Sequence, residues 1–248
     1  MFDLNSILVI AITFLAAGLV KGVIGLGLPT ISLAILALSF DLGEAMALLL
    51  VPSLLTNFLQ AASGGEFVAL CKRLWLFMLA ATVSVFFGAG LFSHFALDDL
   101  MFLLGTVLML HALISFANPR LTFTQQNPRL LGPVFGSVNG VLTGMTGSFV
   151  VPGVIYLQSI GMNRDQLVQA MGILFSLSTI ALALSLQVHN RISIEQLSYS
   201  AIGLLPALAG MFAGQAIRKQ LSESVFRQVF FGALLLLGLY MVIYNWIW

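Results

Sequence analysis

Charge is nearly missing from this chain. Asp, Glu, Lys and Arg make up 8% of its 248 residues, against roughly one quarter in a soluble domain. A chain so poor in charge cannot cover a water-facing surface, which excludes a soluble enzyme or binding domain. Its 10 basic and 9 acidic residues nearly cancel and are scattered among connecting stretches, so there is neither a basic patch for nucleic acid nor an acidic tail. Cysteine occurs once, as Cys71, which excludes an internal disulfide and a thiolate metal cluster. Catalytic signatures are missing too: no His-Glu-x-x-His, no Gly-x-Ser-x-Gly, no phosphate-loop lysine and no intramembrane aspartate pair. Gly144-Met145-Thr146-Gly147-Ser148 resembles a serine nucleophile site only superficially, since no base accompanies it, and Asp98-Asp99 reads as a solvated helix start. The expectation is a protein that is not an enzyme and that holds no metal or cofactor. A cleaved leader is also not expected: Met1 to Asn5 lacks a basic region, and the apolar run that follows is too long for one.

Apolar sequence is what remains. Hydrophobic residues make up 60% and the mean hydropathy is +1.06, the signature of a polytopic membrane protein. At about 20 residues per crossing there is room for about eight segments and little else. They run over 6–39, 44–62, 74–93, 100–117, 130–158, 167–187, 197–216 and 225–247. Two sets of four result: a first membrane repeat over 1–117, a linker over 118–129 that contains Asn-Pro twice, and a second repeat over 130–248.

The first and fifth segments are too long for one crossing and carry related glycine-rich sequences. Gly18-Leu19-Val20-Lys21-Gly22-Val23-Ile24 returns 118 positions later as Gly136-Ser137-Val138-Asn139-Gly140-Val141-Leu142. Paired interruptions at matching places in two halves are the best sequence pointer to a transporter's binding site, because freed backbone groups are tolerable in lipid only where they line a cavity. The cations test what the extra length is for. If every segment crosses once, Lys72, Arg73, Arg120, Arg129 and Arg191 fall on one face and Arg164, Arg218, Lys219 and Arg227 on the other, which is no bias. If the first and fifth are re-entrant helical hairpins, Lys72, Arg73, Arg120, Arg129, Arg164, Arg218, Lys219 and Arg227 gather on one face and only Arg191 stays on the other. The positive-inside rule favours the second arrangement, with the basic face cytoplasmic and both termini outside. Each half then crosses three times, and the two repeats are inverted relative to each other. The fold expected is therefore an all-α polytopic membrane protein of two inverted four-segment repeats, each opening with a broken, re-entrant hairpin.

The breaks have the composition of an anion site. In the first, Gly22, Gly25 and Gly27 permit turns and close approach, and Pro29 suits the first turn of a restarting helix. The amides of that new helix start and its positive dipole end favour an anion, and Thr30 adds a hydroxyl. The second break supplies Asn139, Thr143, Thr146, Gly147 and Ser148, with Pro152 a turn later. Two such starts facing each other would make one donor-rich pocket. Lys21 lies roughly 22 Å into its segment, where a lysine costs about 3 kcal/mol; it is either a countercharge in the pocket or a snorkelling anchor. Asn57 and Thr179 occupy equivalent places in the following segments and are expected to face the pocket, the alternative being helix-to-helix hydrogen bonding. Gln60, Gln169 and Ser178 accompany them. Pro52 predicts a kink, and His111 either carries a proton or packs. Gly88-Ala89-Gly90 and the stripe from Gly203 to Gly214 read as close helix contacts, Trp75, Tyr240, Tyr244, Trp246 and Trp248 as interfacial belts, and the phenylalanines as lipid-facing.

At the two breaks the chain resembles the TauE/SafE sulfite exporter family, small transporters with a duplicated four-segment unit. The resemblance covers essentially the full length. It rests on Gly18 to Pro29 with Gly22, Gly25 and Gly27, on Gly140, Gly147 and Val151-Pro152, and on the patterns at Glu44-Ala45 and Gln166-Leu167. Where family members carry a fuller run of glycines, Leu28-Pro29 and Met145-Thr146 stand here. The resemblance implies export, or sometimes uptake, of sulfite, organosulfonates or related sulfur oxyanions across a bacterial inner membrane. A small anionic substrate and the lipid bilayer are the partners expected, nucleic acid is not, and a homo-oligomer is open. Alternatives are a passive anion channel using the same dipoles, an uptake permease for another small anion, and a structural subunit of a larger complex.

Overall fold

The computed structural model describes residues 3–117, 128–218 and 223–247. The part of the expected linker over 118–127, and with it Arg120, lies outside the described residues, as do Lys219 and Trp248. About 86% of the described residues are helical, and none of them forms a strand. Its helices are α1 (Leu4–Ile24), α2 (Leu28–Leu36), α3 (Leu42–Leu48), α4 (Leu50–Ala62), α5 (Phe67–Leu91), α6 (Leu97–Ala117), α7 (Pro128–Thr146), α8 (Gly153–Ser159), α9 (Arg164–Val188), α10 (Ile194–Ile217) and α11 (Glu223–Ile247). Among the described residues six helical stretches are long and apolar enough to cross a membrane, and α3 and α4, bent by 45° at Leu49, make a seventh if taken as one span. The protein is a multi-pass membrane protein.

Each of the two overlong segments resolves into a long arm and a short one. At 1.5 Å per residue, the 21 residues of α1 reach about 31 Å and the 19 of α7 about 28 Å, close to a full hydrocarbon thickness. The 9 residues of α2 and 7 of α8 reach only about 14 and 10 Å. Gly18 and Gly22 lie within α1, and Gly136, Gly140 and Gly144 within α7. The chain turns at Gly25 and Gly147, both in left-handed conformation, at φ 85° and 75°.

Two compact units form, and each draws on both sides of residue 118. The first comprises 1–53, 96–118 and 190–248, and the second 54–95 and 119–189. In the first unit α1 packs along α10 and α6 along α11. The glycines explain how closely. A Cβ on Gly18 or Gly22 would fall on the carbonyl oxygen of Ala207 or Met211, and one on Gly210 or Gly214 on that of Leu15 or Leu19. The contacts advance together along both helices, so α1 and α10 run in parallel. Close backbone approach of this kind is how membrane helices associate where lipid offers no hydrophobic driving force. The α6–α11 pair is antiparallel. Gly105 meets Gly238, Met241 and Val242, whereas Gly238 meets Met109, and His111 and Phe116, further along α6, both stack edge-on against Phe231, earlier in α11. Phe230 lies beside Gly27 at the far end of α1, so α1 and α6 point to the same end of this unit and α11 points away from it.

The second unit is built around α5 and α7, with α9 against α5. Gly136, Gly140, Gly144 and Gly88 press on the carbonyl oxygens of Phe77, Ala81, Val85 and Val141, again a parallel pair. The end of α4 is clamped to the start of α9, where Gln60 Nε2 donates to Val168 O (2.7 Å) and Gln169 Nε2 to Ala61 O (2.8 Å). For these two glutamines the helix-joining role holds.

The glycine contacts also correct the sequence alignment of the halves. Gly18 on Ala207 and Gly22 on Met211 have as counterparts Gly140 on Ala81 and Gly144 on Val85, and Gly25 closes α1 on Lys21 O as Gly147 closes α7 on Thr143 O. The spacing is 122 residues, one helical turn more than the 118 of the glycine-rich repeat. Lys21 therefore corresponds to Thr143 and not to Asn139. The phenylalanine reading is also corrected in part: Phe14, Phe77, Phe149 and Phe175 are fully buried, as are Phe230 and Phe231 to within a few per cent. Phe14 packs on Gly203 and Phe230 beside Gly27, while Phe149 and Phe175 pack on each other.

Candidate functional site

The first break holds Lys21, Gly25, Gly27 and Thr30. The amide of Gly25 donates to Lys21 O at 2.7 Å and ends α1. Gly27, at φ 109°, caps α2 without a side-chain hydrogen bond. The amides of Leu28 and Thr30 open the new helix with no acceptor inside it, and Pro29 brings none. Thr30 is 1% exposed and its Oγ1 has no hydrogen-bond partner among the described residues. Next to it Ser32 closes on its own helix through Leu28 O at 2.7 Å. Lys21 is 4% exposed, so its side chain does not reach the protein surface as a snorkelling anchor would. A Cβ on Gly27 would sit 3.2 Å from Val20 Cγ1 and 3.3 Å from Phe230 Cζ. Phe230 thus walls the break, a residue that sequence reading left among lipid-facing aromatics.

The second break, in the other unit, gathers Asn139, Thr143, Thr146, Gly147 and Ser148, all buried. Three hydroxyl or amide groups are already engaged. Thr143 Oγ1 donates to Asn139 O and to Ser148 O (2.8 and 2.9 Å), and Thr146 Oγ1 to Leu142 O (2.7 Å) while accepting from Ser148 N. Asn139 Oδ1 accepts the amide of Gly153, the first residue of α8, at 2.9 Å, so the side chain of α7 caps the returning arm. That bond fixes which way the amide faces. Asn139 Nδ2 and Ser148 Oγ are then left buried with no hydrogen-bond partner, each able to donate one or two bonds.

In the same unit Asn57 is buried on α4, alongside Thr56 and Gln60 at helical spacing. Thr179 is buried on α9, where its Oγ1 donates to Phe175 O at 2.6 Å, leaving only lone pairs for another group. Ser178 and Ser185, seven residues apart on α9, are 0% exposed, and neither hydroxyl has a partner among the described residues. The equivalent places of Asn57 and Thr179 after each break were the sequence signal for this set; Ser185, two helical turns beyond Ser178, was missed.

Ser200 was missed. It sits on α10 at 0% exposed, donates to Leu48 O at 2.7 Å and accepts from Val51 N at 3.0 Å. Pro52 has no amide to offer Leu48 O, so the hydroxyl repairs the ladder where α3 and α4 bend. Pro52 in one segment and a serine one turn before the small-residue stripe of another were the available clues. His111 packs edge-on against Phe231, with ring centroids 5.2 Å apart. No group of His, Cys, Asp and Glu able to hold a metal occurs among the described residues.

What the breaks offer chemically is donors in excess of acceptors, out of water, with a buried lysine in the same stretch as one of them and no carboxylate in either. Such groups favour a small anion. The family model described as "Sulfite exporter TauE/SafE" matches residues 10–241. Among curated proteins and among solved structures no significant match is found.

Proposed function

The chain belongs to the sulfite exporter TauE/SafE family of membrane transporters, and from that premise we propose that it exports sulfite, an organosulfonate or a related small sulfur oxyanion by alternating access. One observation carries the substrate class: Thr30 Oγ1, Asn139 Nδ2 and Ser148 Oγ are buried donors at the breaks with no partner among the described residues. A buried donor costs about 1–3 kcal/mol when unmet, a cost that a bound oxyanion with several acceptor oxygens repays. Thr30 is joined by the amides of Leu28 and its own, and Lys21 supplies the countercharge. Asn57, Thr143, Thr146 and Thr179 shape and brace the polar surroundings of the second break, while Gly25 and Gly27 at the first and Gly147 at the second let the backbone of each break approach an anion bound there.

Helix directions within the first unit support inverted repeats with hairpins. If every segment of the first half crossed once, the first and fourth helices would be antiparallel; α1 and α6 point the same way, which fits a reversal inside the first segment. The fourth helices of the halves, α6 and α11, are antiparallel, as an axis in the membrane plane requires. With the positive-inside rule this favours a cytoplasmic basic face and both termini outside, in a bacterial inner membrane. Cysteines placed at Arg164 and Arg191 in a Cys71→Ala background should label from opposite sides of intact cells; labelling of both from outside overturns the topology.

The substrate test is uptake into proteoliposomes with sulfite, sulfoacetate, thiosulfate and taurine in turn. Saturable uptake of at least one of the anions is expected. Uptake of none of them, by protein that retains its fold, overturns the reading.

A further inference from the structure

Away from both breaks, the first turns of α5 and the end of α8 enclose a cavity of about 480 Å³, lined by Lys72 to Phe77 with Tyr156 and Ile160. Its floor is buried and apolar: Leu74, Phe77, Tyr156 and Ile160 are each no more than 5% exposed, with Tyr156 stacked on Phe77 at 4.6 Å. Arg73, on the lining, is held by a 2.7 Å bond from its guanidinium to Ile160 O. Two cations line the cavity and no carboxylate does. Lys72 makes no hydrogen bond or ion pair among the described residues, and its helix face continues as an exposed apolar stripe: Trp75, Leu79, Val83 and Phe87 are 55–64% exposed. A charged rim, an interfacial tryptophan and a hydrocarbon lane below it, in that order along one helix face, match a phospholipid laid head-up against the protein.

We infer that this cavity binds the phosphate headgroup of an anionic membrane phospholipid, with Lys72 and Arg73 on the phosphate and its acyl chains along Trp75, Leu79, Val83 and Phe87. The charges select for anionic over zwitterionic lipid, and the stripe below them selects for lipid over free phosphate. Arg73 serves two ends, joining α5 to the end of α8 through Ile160 O and turning its remaining donors to the headgroup, as the planar guanidinium allows. Lys72 is the freer probe.

The experiment is native mass spectrometry of the whole protein released from mixed phosphatidylglycerol and phosphatidylcholine vesicles, paired with thermal unfolding in detergent on adding either lipid or glycerol 3-phosphate. Expected are selective retention of phosphatidylglycerol and a rise in Tm with phosphatidylglycerol but not with glycerol 3-phosphate. Lys72→Gln should lower that retention about fivefold, the worth of one lysine near an anionic surface, while Arg191→Gln leaves it unchanged. If Lys72→Gln expresses poorly, Leu79→Asn, which spoils the acyl lane and spares the cations, should cut retention of both lipids. The inference is overturned if retention shows no preference for phosphatidylglycerol, if neither Lys72→Gln nor Leu79→Asn alters it, or if glycerol 3-phosphate alone reproduces the stabilisation.

Discussion

Asn139 does two things with two atoms, and a pair of substitutions separates them. Its Oδ1 accepts the amide that starts α8, at 2.9 Å, while Nδ2 is buried with no partner among the described residues. Asn139→Leu removes both. The Gly153 amide is then orphaned, at a cost of about 1–3 kcal/mol, so this variant loses thermal stability together with any binding. Asn139→Asp keeps the shape and the acceptor and replaces only the donor. With the carboxylate ionised, one charge-assisted bond worth about 1.5–3 kcal/mol is lost and a like charge faces the substrate, so the Kd rises by roughly tenfold to over a hundredfold. Protonation restores an O–H donor at that place. Binding by Asn139→Asp should therefore recover as the pH falls through the carboxyl range, while the wild type shows no such gain. Isothermal titration of protein in nanodiscs with an alkanesulfonate, which stays anionic throughout, reads both quantities. Wild-type affinity of Asn139→Asp at neutral pH would refute a donor role for Nδ2, as would a loss in both variants that merely follows their Tm.

Three further outcomes follow from the packing. Gly22→Val and Gly144→Val place a branched side chain on the carbonyl oxygens of Met211 and Val85 and should each cost about 1–3 kcal/mol or more of stability, whereas Gly232→Ala, whose nearest neighbour is Phe116 Cζ at 4.0 Å, should be neutral in the same melting assay. Ser200→Ala leaves Leu48 O and Val51 N without their bridging hydroxyl and should lower stability by about 1–3 kcal/mol, read as a fall in the urea or thermal midpoint; an unchanged midpoint refutes the repair of the bend. Lys21→Gln should weaken anion binding at least tenfold with little change in expression, and a normal Kd with altered expression or orientation would return Lys21 to the role of anchor.

The membrane class, the broken first and fifth segments and the residues at the breaks were all legible in the sequence, because hydropathy sets spans and glycine marks turns. The one-turn error in matching the halves was avoidable, because Gly18-x3-Gly22-x2-Gly25 returns 122 positions later as Gly140-x3-Gly144-x2-Gly147. Gly136 and Gly140 also align with Gly18 and Gly22, but α7 carries a further glycine, Gly144, and the turns decide which is equivalent: Gly25 closes α1 on Lys21 O as Gly147 closes α7 on Thr143 O. Side-chain roles were legible only as types. Nothing in the sequence distinguishes Thr143, Thr146 and Thr179, whose hydroxyls return to their own backbone, from Thr30 and Ser148, whose hydroxyls do not. Likewise a phenylalanine beside lipid and one beside a glycine-made gap, such as Phe230, have the same neighbours in sequence and opposite surroundings in the fold.

Counterflow in proteoliposomes tests transport by alternating access most directly. Vesicles preloaded with unlabelled substrate and diluted into a trace of labelled sulfite or sulfonate should accumulate label transiently above equilibrium, and initial rates should saturate with concentration. Rates that rise linearly with concentration, with no transient overshoot, would contradict an alternating-access carrier and leave a passive anion pore in its place.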